Sequence, residues 1–365
     1  MKKIRVGILF GGRSTEHDVS LQSAKSIFNA IDHGKYEAVM IGIDRSGRWH
    51  LGDASIGVLD ADDSRRMKLD ETSDSLALVP GQADESIIDA TRLTPVDRLD
   101  VLFPVLHGTY GEDGTVQGML KLSDIAFVGA DVLGSAVGMD KDVSKRLLRE
   151  AGIPVGRFIC CYRHTVDALD YETIAADLGL PFFVKPANLG SSVGIAKVQD
   201  TEGFQRAVAS AFQFDHKILI EEYIEGREIE CAVLGNEAPA ASIPGEVIPQ
   251  HDFYSYEAKY IDENGAILEI PARISSTTEE QIRELSIRVF QTLCCEGMAR
   301  VDFFLKDDGS IVVNELNSIP GFTSISMYPR LWGKSGISYT ELIDRLIELA
   351  IERHNRDKQI MYDPN

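Results

Sequence analysis

The chain has 365 residues, 44% hydrophobic and 26% charged. At roughly 100 to 200 residues per domain this allows two or three ordinary cores, and the composition excludes a disordered, collagen-like or disulfide-stapled chain. Asp and Glu outnumber Lys and Arg by 57 to 37, a net charge of −20, which repels phosphate backbones and anionic lipid and argues against nucleic acid or membrane partners.

Lys2 and Lys3 precede an apolar run over residues 4–10 that is too short for a signal sequence and ends at Gly11-Gly12. It reads as a first strand and a glycine turn, followed by a helix over residues 19–31. Further strands are predicted at 36–43 and 99–106, so the first third should be a parallel α/β sheet with its working loops at the strands' carboxyl ends. Residues 60–98 are polar and acidic and read as a surface insertion with minor strands.

A helix over 140–151 places Val143, Leu147, Leu148 and Ala151 on one face and stops at Gly152 before Pro154. Downstream, β-runs at 181–186, 193–198, 217–224 and 227–235, with a helix at 202–212, predict a more antiparallel α+β unit. Thr278 with Gln281, and Ser338 with Glu341, form capping-box patterns opening helices that run to about Cys294 and His354. Strands at 298–305 and 310–316 lie between them. No run approaches the roughly 20 apolar residues of a membrane span. Five cysteines, Cys160, Cys161, Cys231, Cys294 and Cys295, lack C-x-x-C spacing and read as reduced core thiols of a cytoplasmic protein.

Residues 185–194, KPANLGSSVG, follow an apolar strand. The loop's glycines and serines suit close approach to phosphate, with Lys185 as a point charge, and equally suit a hairpin turn. A Walker A loop is excluded by the missing Gly-Lys-Ser/Thr. Arg300-x-Asp302 and Asn314-Glu315-x-Asn317 place polar groups at alternate positions of two apolar strands, a pattern suited to a Mg²⁺ held by oxygens or to a solvated face. Residues 217–224 read first as a strand leaving the core; its edge at Tyr223 and Ile224, with Glu228, also suits adenosine. Gly11-Gly12 with Glu16, His107-Gly108 and the loop 320–326 read as further ligand loops by composition.

Taken together, nine segments in order resemble the D-alanine–D-alanine ligases of the ATP-grasp superfamily: FGGRSTEHDVSLQSA, PVLHGTYGEDGTVQG, MDKDVSK, FVKPANLGSSVGI, EEYIEGREIECAV, YEAKY, ARVDFF, VNELNSIPGFTS and SMYP. Residues 60–98 lack a clear counterpart, and the longer, A-type subclass carries an insertion there. The resemblance implies an ATP-grasp fold preceded by a Rossmann-like parallel-sheet domain: residues 1–139, then a central subdomain 140–224 and a C-terminal subdomain 225–365 with a mobile lid at 246–265. It implies ATP-dependent formation of D-alanyl-D-alanine through a D-alanyl phosphate, for peptidoglycan synthesis.

The resemblance also implies roles. Asp302, Glu315 and Asn317 match ligands of two Mg²⁺ or Mn²⁺ ions, and a monovalent cation belongs to the same expectation. Lys141, Lys185 and Lys259 match phosphate-contacting lysines beneath Ser191 and Ser192. Glu221, Glu222, Tyr223, Ile224, Glu228, Asn314 and Glu315 complete the ATP set. Glu16 matches the acid holding the first D-alanine's ammonium, with His107 near its carboxyl; Arg300 and the Gly321 N–H match an oxyanion hole; Ser326 and the Met327 N–H match the second D-alanine's carboxylate site. Glu16, Ser191 and Tyr260 match a hydrogen-bonded trio linking lid and substrate. Related ester-forming ligases carry histidine where Tyr260 stands. The implied partners are D-alanine and ATP, in a homodimer. The alternatives are a ligase with D-serine or D-lactate as acceptor, and a catalytically dead ATP-binding homologue.

Overall fold

The structure is a computed structural model that describes residues 2–51, 75–81, 86–191, 193–249 and 266–361. The first sheet is built from β1 (Ile4–Gly11), β2 (Tyr36–Ile43), β3 (Trp49–Leu51), β4 (Ser75–Leu78), β5 (Ile87–Asp89), β6 (Thr94–Pro95), β7 (Val101–Pro104) and β8 (Ala126–Phe127), with helices α1 (His17–Ala30) and α2 (Thr115–Leu122). Its order is β6-β5-β4-β3-β2-β1-β7-β8. The four strands β2, β1, β7 and β8 are parallel, as the apolar runs of β1, β2 and β7 predict, and β8 joins them without a predicted run of its own.

The described part of the 60–98 insertion is an antiparallel meander, β4 to β6, that extends this sheet through β3. The loops after β1 and β7 leave the same edge. Gly11 makes the first of them possible: its φ is +90°, and a Cβ there would lie 2.2 Å from the Ile43 carbonyl oxygen.

The second sheet has strands β9 (Phe158–Tyr162), β10 (Phe182–Pro186), β11 (Ala196–Val198) and β12 (Lys217–Glu222), all antiparallel in the order β11-β10-β12-β9. Helices α3 (Val132–Met139) and α4 (Lys141–Glu150) precede it, while α5 (Tyr171–Leu178) and α6 (Thr201–Phe214) lie between its strands in sequence. Phe182, Val184, Phe204, Phe212, Ile218 and Ile220 form its core. Helix α4 corrects the face expected for it. Its buried side carries Lys141, Asp142, Ser144, Lys145 and Leu148, whereas Leu147 is 38% exposed. The helix borders a polar cavity, so it is the lysine stems that are covered and their ammonium groups that point inward.

The third sheet runs β16 (Ala266–Glu269), β15 (Gly245–Pro249), β13 (Arg227–Gly235), β17 (Gly297–Leu305), β18 (Ile311–Asn317), with β14 (Ala240–Ala241) beside β13. Helix α7 (Ser276–Thr292) is capped by Ser275, whose Oγ accepts from the Thr278 N–H, rather than by Thr278 itself. Four hydroxyl residues stand in a row here, and the first satisfies the orphan N–H groups. Helix α8 (Met327–Lys334) precedes α9 (Tyr339–Asp357), which is capped by Ser338 on the Glu341 N–H as predicted.

Helix α9 packs on the first sheet, not only on its own. Val6, Ile8, Phe10 and Phe103 share one core with Phe322, Tyr328, Leu346 and Ile347. Phe322 is fully buried, its ring 5.6 Å from that of Phe103. Truncating such a ring to Ala costs about 3–5 kcal/mol, so this contact holds the loop 318–323 against the loops that follow β1 and β7.

Candidate active site

Two cavities adjoin between the sheets. One, of about 450 Å³, lies between β10–β12 and the third sheet and is lined by Lys141, Lys145, Lys185, Glu221, Tyr223, Glu228 and Asn314. The other, of about 500 Å³, lies beneath the first sheet's loops and is lined by Glu16, His107, Glu112, Arg300, Asn317, Gly321, Ser326 and Met327. Gly190, Ser191, Val247 and Glu315 line both. A group transferred from one cavity to the other would cross that shared wall.

The first cavity is lined by charges of both signs, with two lysines set against the buried acid Glu221. Lys185 Nζ is 2.5 Å and Lys145 Nζ 3.4 Å from the Glu221 carboxylate. Burial disfavours the charge of Glu221, but the two lysines outweigh it and hold its carboxyl below the ordinary range. Burial depresses Lys145, Lys185 adds to that effect, and Glu221 opposes it. Lys141, at the start of α4, donates to the Leu189 carbonyl at 2.8 Å and lies 3.3 Å from Glu315. Three ammonium groups around a glycine-rich loop suit the phosphates of a nucleotide. Tyr223 stands at the mouth, half-exposed, with Lys197 Nζ 5.0 Å from its ring centre. Glu222 gives its carboxylate to Arg157, accepting from its backbone N–H and its Nε.

The second cavity gathers groups from distant parts of the chain. Glu16, 6% exposed, accepts from the Ser191 hydroxyl. Ser191 itself sits at φ +52°, a left-handed conformation unusual for a residue with a Cβ and one that bends the loop toward Glu16. His107 is buried, its Nδ1 2.9 Å from the Ile319 carbonyl and its Nε2 3.3 Å from Ser23 Oγ. Burial lowers its pKa against the opposing charge of Glu16 and the Ile319 contact, so the imidazole is neutral at pH 7. Ser326 precedes α8 without a side-chain cap bond, its Oγ instead accepting from the Thr323 N–H at 3.1 Å, and the Met327 N–H opens that helix onto the cavity, where a carboxylate gains from the helix dipole.

Between the cavities runs a row of charged groups. Asp302 on β17 faces Glu230 on β13 and Glu315 on β18 in register, and Arg300 faces Asn317. Arg300 holds Asp302 through two bonds of 2.7 Å and reaches Glu230 at 3.0 Å, while Asn317 donates to Asp302 at 2.9 Å. The register slips by one residue between Asp302 and Phe303, leaving Asn314 as the extra residue of a β-bulge. Strict alternation would send Asn314 and Glu315 to opposite faces; with the bulge, both line the first cavity.

Asp302, Glu315 and Asn317 offer two carboxylates and an amide. Hard oxygen donors of this kind, next to a phosphate cleft, fit a divalent cation such as Mg²⁺ that keeps water or phosphate in its other positions. Among the described residues no three His, Cys, Asp or Glu side chains form a ready metal cage. The set therefore fits a cation completed by its nucleotide.

The structure thus brings Glu16, Ser191, His107, Arg300, Gly321, Ser326 and Met327 to one cavity and Lys141, Lys185, Glu221, Tyr223, Ile224, Glu228, Asn314 and Glu315 to the other. Ser192, Lys259, Tyr260 and the expected lid beyond Pro249 lie outside the described residues; Glu246 to Pro249 belong to β15. Three residues of the site escape a sequence reading. Lys145, in MDKDVSK, and Glu112, in HGTYGEDG, sit inside motifs without a spacing of their own. Glu230 follows Arg227 and Glu228 at the start of a strand that turns apolar after it, and alternation with Glu228 was the one available signal.

A family profile described as "D-ala D-ala ligase N-terminus" matches residues 5–130, and one described as "D-ala D-ala ligase C-terminus" matches residues 147–348. A D-alanine–D-alanine ligase of Oceanobacillus iheyensis is 54% identical over 360 residues, 99% of this chain and 98% of that protein. D-alanine–D-alanine ligase A of Escherichia coli K12 is 52% identical over 99% of each chain. Among solved structures, the D-alanine-D-alanine ligase from Coxiella burnetii superposes with a TM-score of 0.87 at 39% identity, covering 98% of this chain and 97% of that one. VanG D-Ala:D-Ser ligase from Enterococcus faecalis gives 0.85 at 36% identity, covering 96% and 100%.

Proposed function

This chain belongs to the D-alanine–D-alanine ligase family of ATP-grasp enzymes, and we propose that its two adjoining cavities are the nucleotide and amino-acid halves of one active site. The enzyme joins two D-alanines to D-alanyl-D-alanine at the expense of ATP, for peptidoglycan synthesis. The observation that supports this division of labour is the wall shared by the cavities, formed by Gly190, Ser191 and Glu315.

A carboxylate is a poor electrophile because oxide cannot leave, and phosphorylation supplies a leaving group. Lys141 and Lys185 orient the ATP phosphates, and Lys185 leaves Glu221 to do so. Asp302, Glu315 and Asn317 would hold a divalent cation, which when bound would neutralise phosphate charge. Glu16 fixes the first D-alanine through its ammonium, with its carboxylate directed at the shared wall. One oxygen of that carboxylate attacks the γ-phosphorus and ADP departs, leaving D-alanyl phosphate. The second D-alanine is held at Ser326 and the Met327 N–H through its carboxylate. Its free amine attacks the acyl carbon; Arg300 and the Gly321 N–H stabilise the oxyanion, phosphate leaves, and the amine gives up its proton. Ser191 closes the wall over Glu16, keeping water from the acyl phosphate.

The family resemblance further supports two Mg²⁺ or Mn²⁺ ions, activation by a monovalent cation, a cytoplasmic homodimer, and the three-part division at residues 139 and 224. The VanG neighbour makes D-serine the competing acceptor. Phosphate release from ATP and Mg²⁺ with D-alanine, D-serine, D-lactate or L-alanine, with product masses, separates the readings. Dipeptide from D-alanine alone is the expected result; a mixed D-alanyl-D-serine product would reassign the acceptor, and nucleotide binding without turnover would leave only the fold.

A further inference from the structure

Glu112 lies on the loop between β7 and α2, lines the second cavity, and has no place in the mechanism above. Its two oxygens are divided between two loops. Oε2 accepts from the Gly108 N–H at 2.8 Å, and Oε1 accepts from the Ile319 N–H at 2.8 Å, with Ser318 Oγ at 3.4 Å. The same Ile319 peptide is held from its other end by His107, whose Nδ1 is 2.9 Å from the Ile319 carbonyl. One residue beyond the intervening Pro320 stands Gly321. The loop after β7 therefore grips the C-terminal loop at both polar groups of one residue, across 207 positions of chain for the Glu112 bond.

We infer that Glu112 is a positioning residue: with His107 it clamps Ile319 and so sets the Gly321 N–H at the height where the tetrahedral oxyanion forms. A carboxylate is suited to this because it accepts at both oxygens, whereas a carboxamide presents one acceptor and one donor. The Ile319 and Gly108 N–H groups both donate, so a carboxamide leaves one of them facing an N–H. Glu16 from the loop after β1 and Lys141 from α4 are the charged groups that act on Glu112, and the titratable His107 meets it only through the Ile319 peptide they share. Burial raises its pKa to about 7, the charge of Glu16 adds to this, and the Gly108 and Ile319 bonds and Lys141 oppose it. Protonation would place an O–H where an N–H must be accepted, which gives the clamp a pH signature.

The inference rests on the ligase reading of the second cavity, and the assays keep the two apart. If the wild-type protein turns over no D-alanine, that reading has failed; if it does, Glu112→Gln tests the clamp. Expected for Glu112→Gln is a fall of about 10- to 100-fold in kcat, the worth of one bond to a charged group, with KM for ATP within about twofold of wild type and the ATP-induced rise in Tm retained. The bend in log kcat against pH near 7 should disappear in Glu112→Gln and return, at reduced kcat, in Glu112→Asp. Unchanged kcat and pH profile would overturn the clamp, as would equal losses in kcat and ATP affinity with a lowered Tm, the mark of a general structural role. Should Glu112→Gln fail to fold, Glu112→Asp is read on the same split of kcat from ATP affinity, with the same outcomes deciding.

Discussion

Ser191 donates its hydroxyl hydrogen bond to the carboxylate of Glu16, joining the glycine-rich loop of the second sheet to the loop after β1 over the wall common to both cavities. The two residues are 175 positions apart in sequence. The bond couples the covering of the phosphates to the seating of the first amino acid.

Ser191→Ala removes that coupling while leaving the lysine cleft intact. A bond to a charged group is worth about 1.5–3 kcal/mol, so kcat/KM for D-alanine should fall roughly 10- to 100-fold. Steady-state kinetics with each substrate varied in turn would check this, and an equal loss in ATP affinity would count against it.

Asp302→Asn and Glu315→Gln should each reduce turnover by roughly 10² to 10³, the usual size for loss of a charge aimed at the transition state. The fold should survive in Asp302→Asn because Arg300 keeps Glu230 at 3.0 Å. Circular dichroism and Tm beside the assay distinguish loss of the metal site from unfolding, and wild-type activity should vanish with chelator and return with Mg²⁺.

Lys145→Met keeps the volume of the buried stem but leaves Glu221 to Lys185 alone. Glu221 should then hold Lys185 more tightly, away from phosphate, so that KM for ATP rises about tenfold, the effect of about 1.4 kcal/mol, while KM for D-alanine is unmoved. Nucleotide titration followed by calorimetry measures it; unchanged ATP affinity would show that Lys145 only fills space.

Asp44, buried at the end of β2, accepts from the Ser46 N–H and hydroxyl and from the Arg48 N–H, and meets His50 Nε2 at 3.0 Å. Burial works against its charge, but these partners outweigh it and hold the carboxyl far below the usual range. With the folded pKa below the unfolded one, its stabilisation is present above about pH 4 and is lost as pH falls further. Asp44→Asn should therefore lower Tm at pH 7 and approach wild type toward pH 3; a Tm gap constant across that range would refute the assignment.

What the sequence determined by itself was local. The apolar runs of β1, β2, β13 and β17 announced strands because a buried strand needs little more than branched and aromatic residues in succession. The Ser338 cap was readable because capping acts over three residues. Nine motifs in order were enough to name the family. The tertiary structure decided what depends on partners distant in the chain. Helical periodicity assigned the inner face of α4 to Val143 and Leu147, whereas packing beside a polar cavity buried Lys141 and Lys145. Alternation placed Arg300 with Asp302 and Glu315 with Asn317, but only strand pairing set Glu230, Asp302 and Glu315 in one row, and only the bulge brought Asn314 beside Glu315. Glu112 gained its two partners from loops 4 and 207 residues away. A spacing rule reports a residue's own helix or strand, whereas the charge balance and hydrogen bonds of this site are set by what the other sheets bring against it.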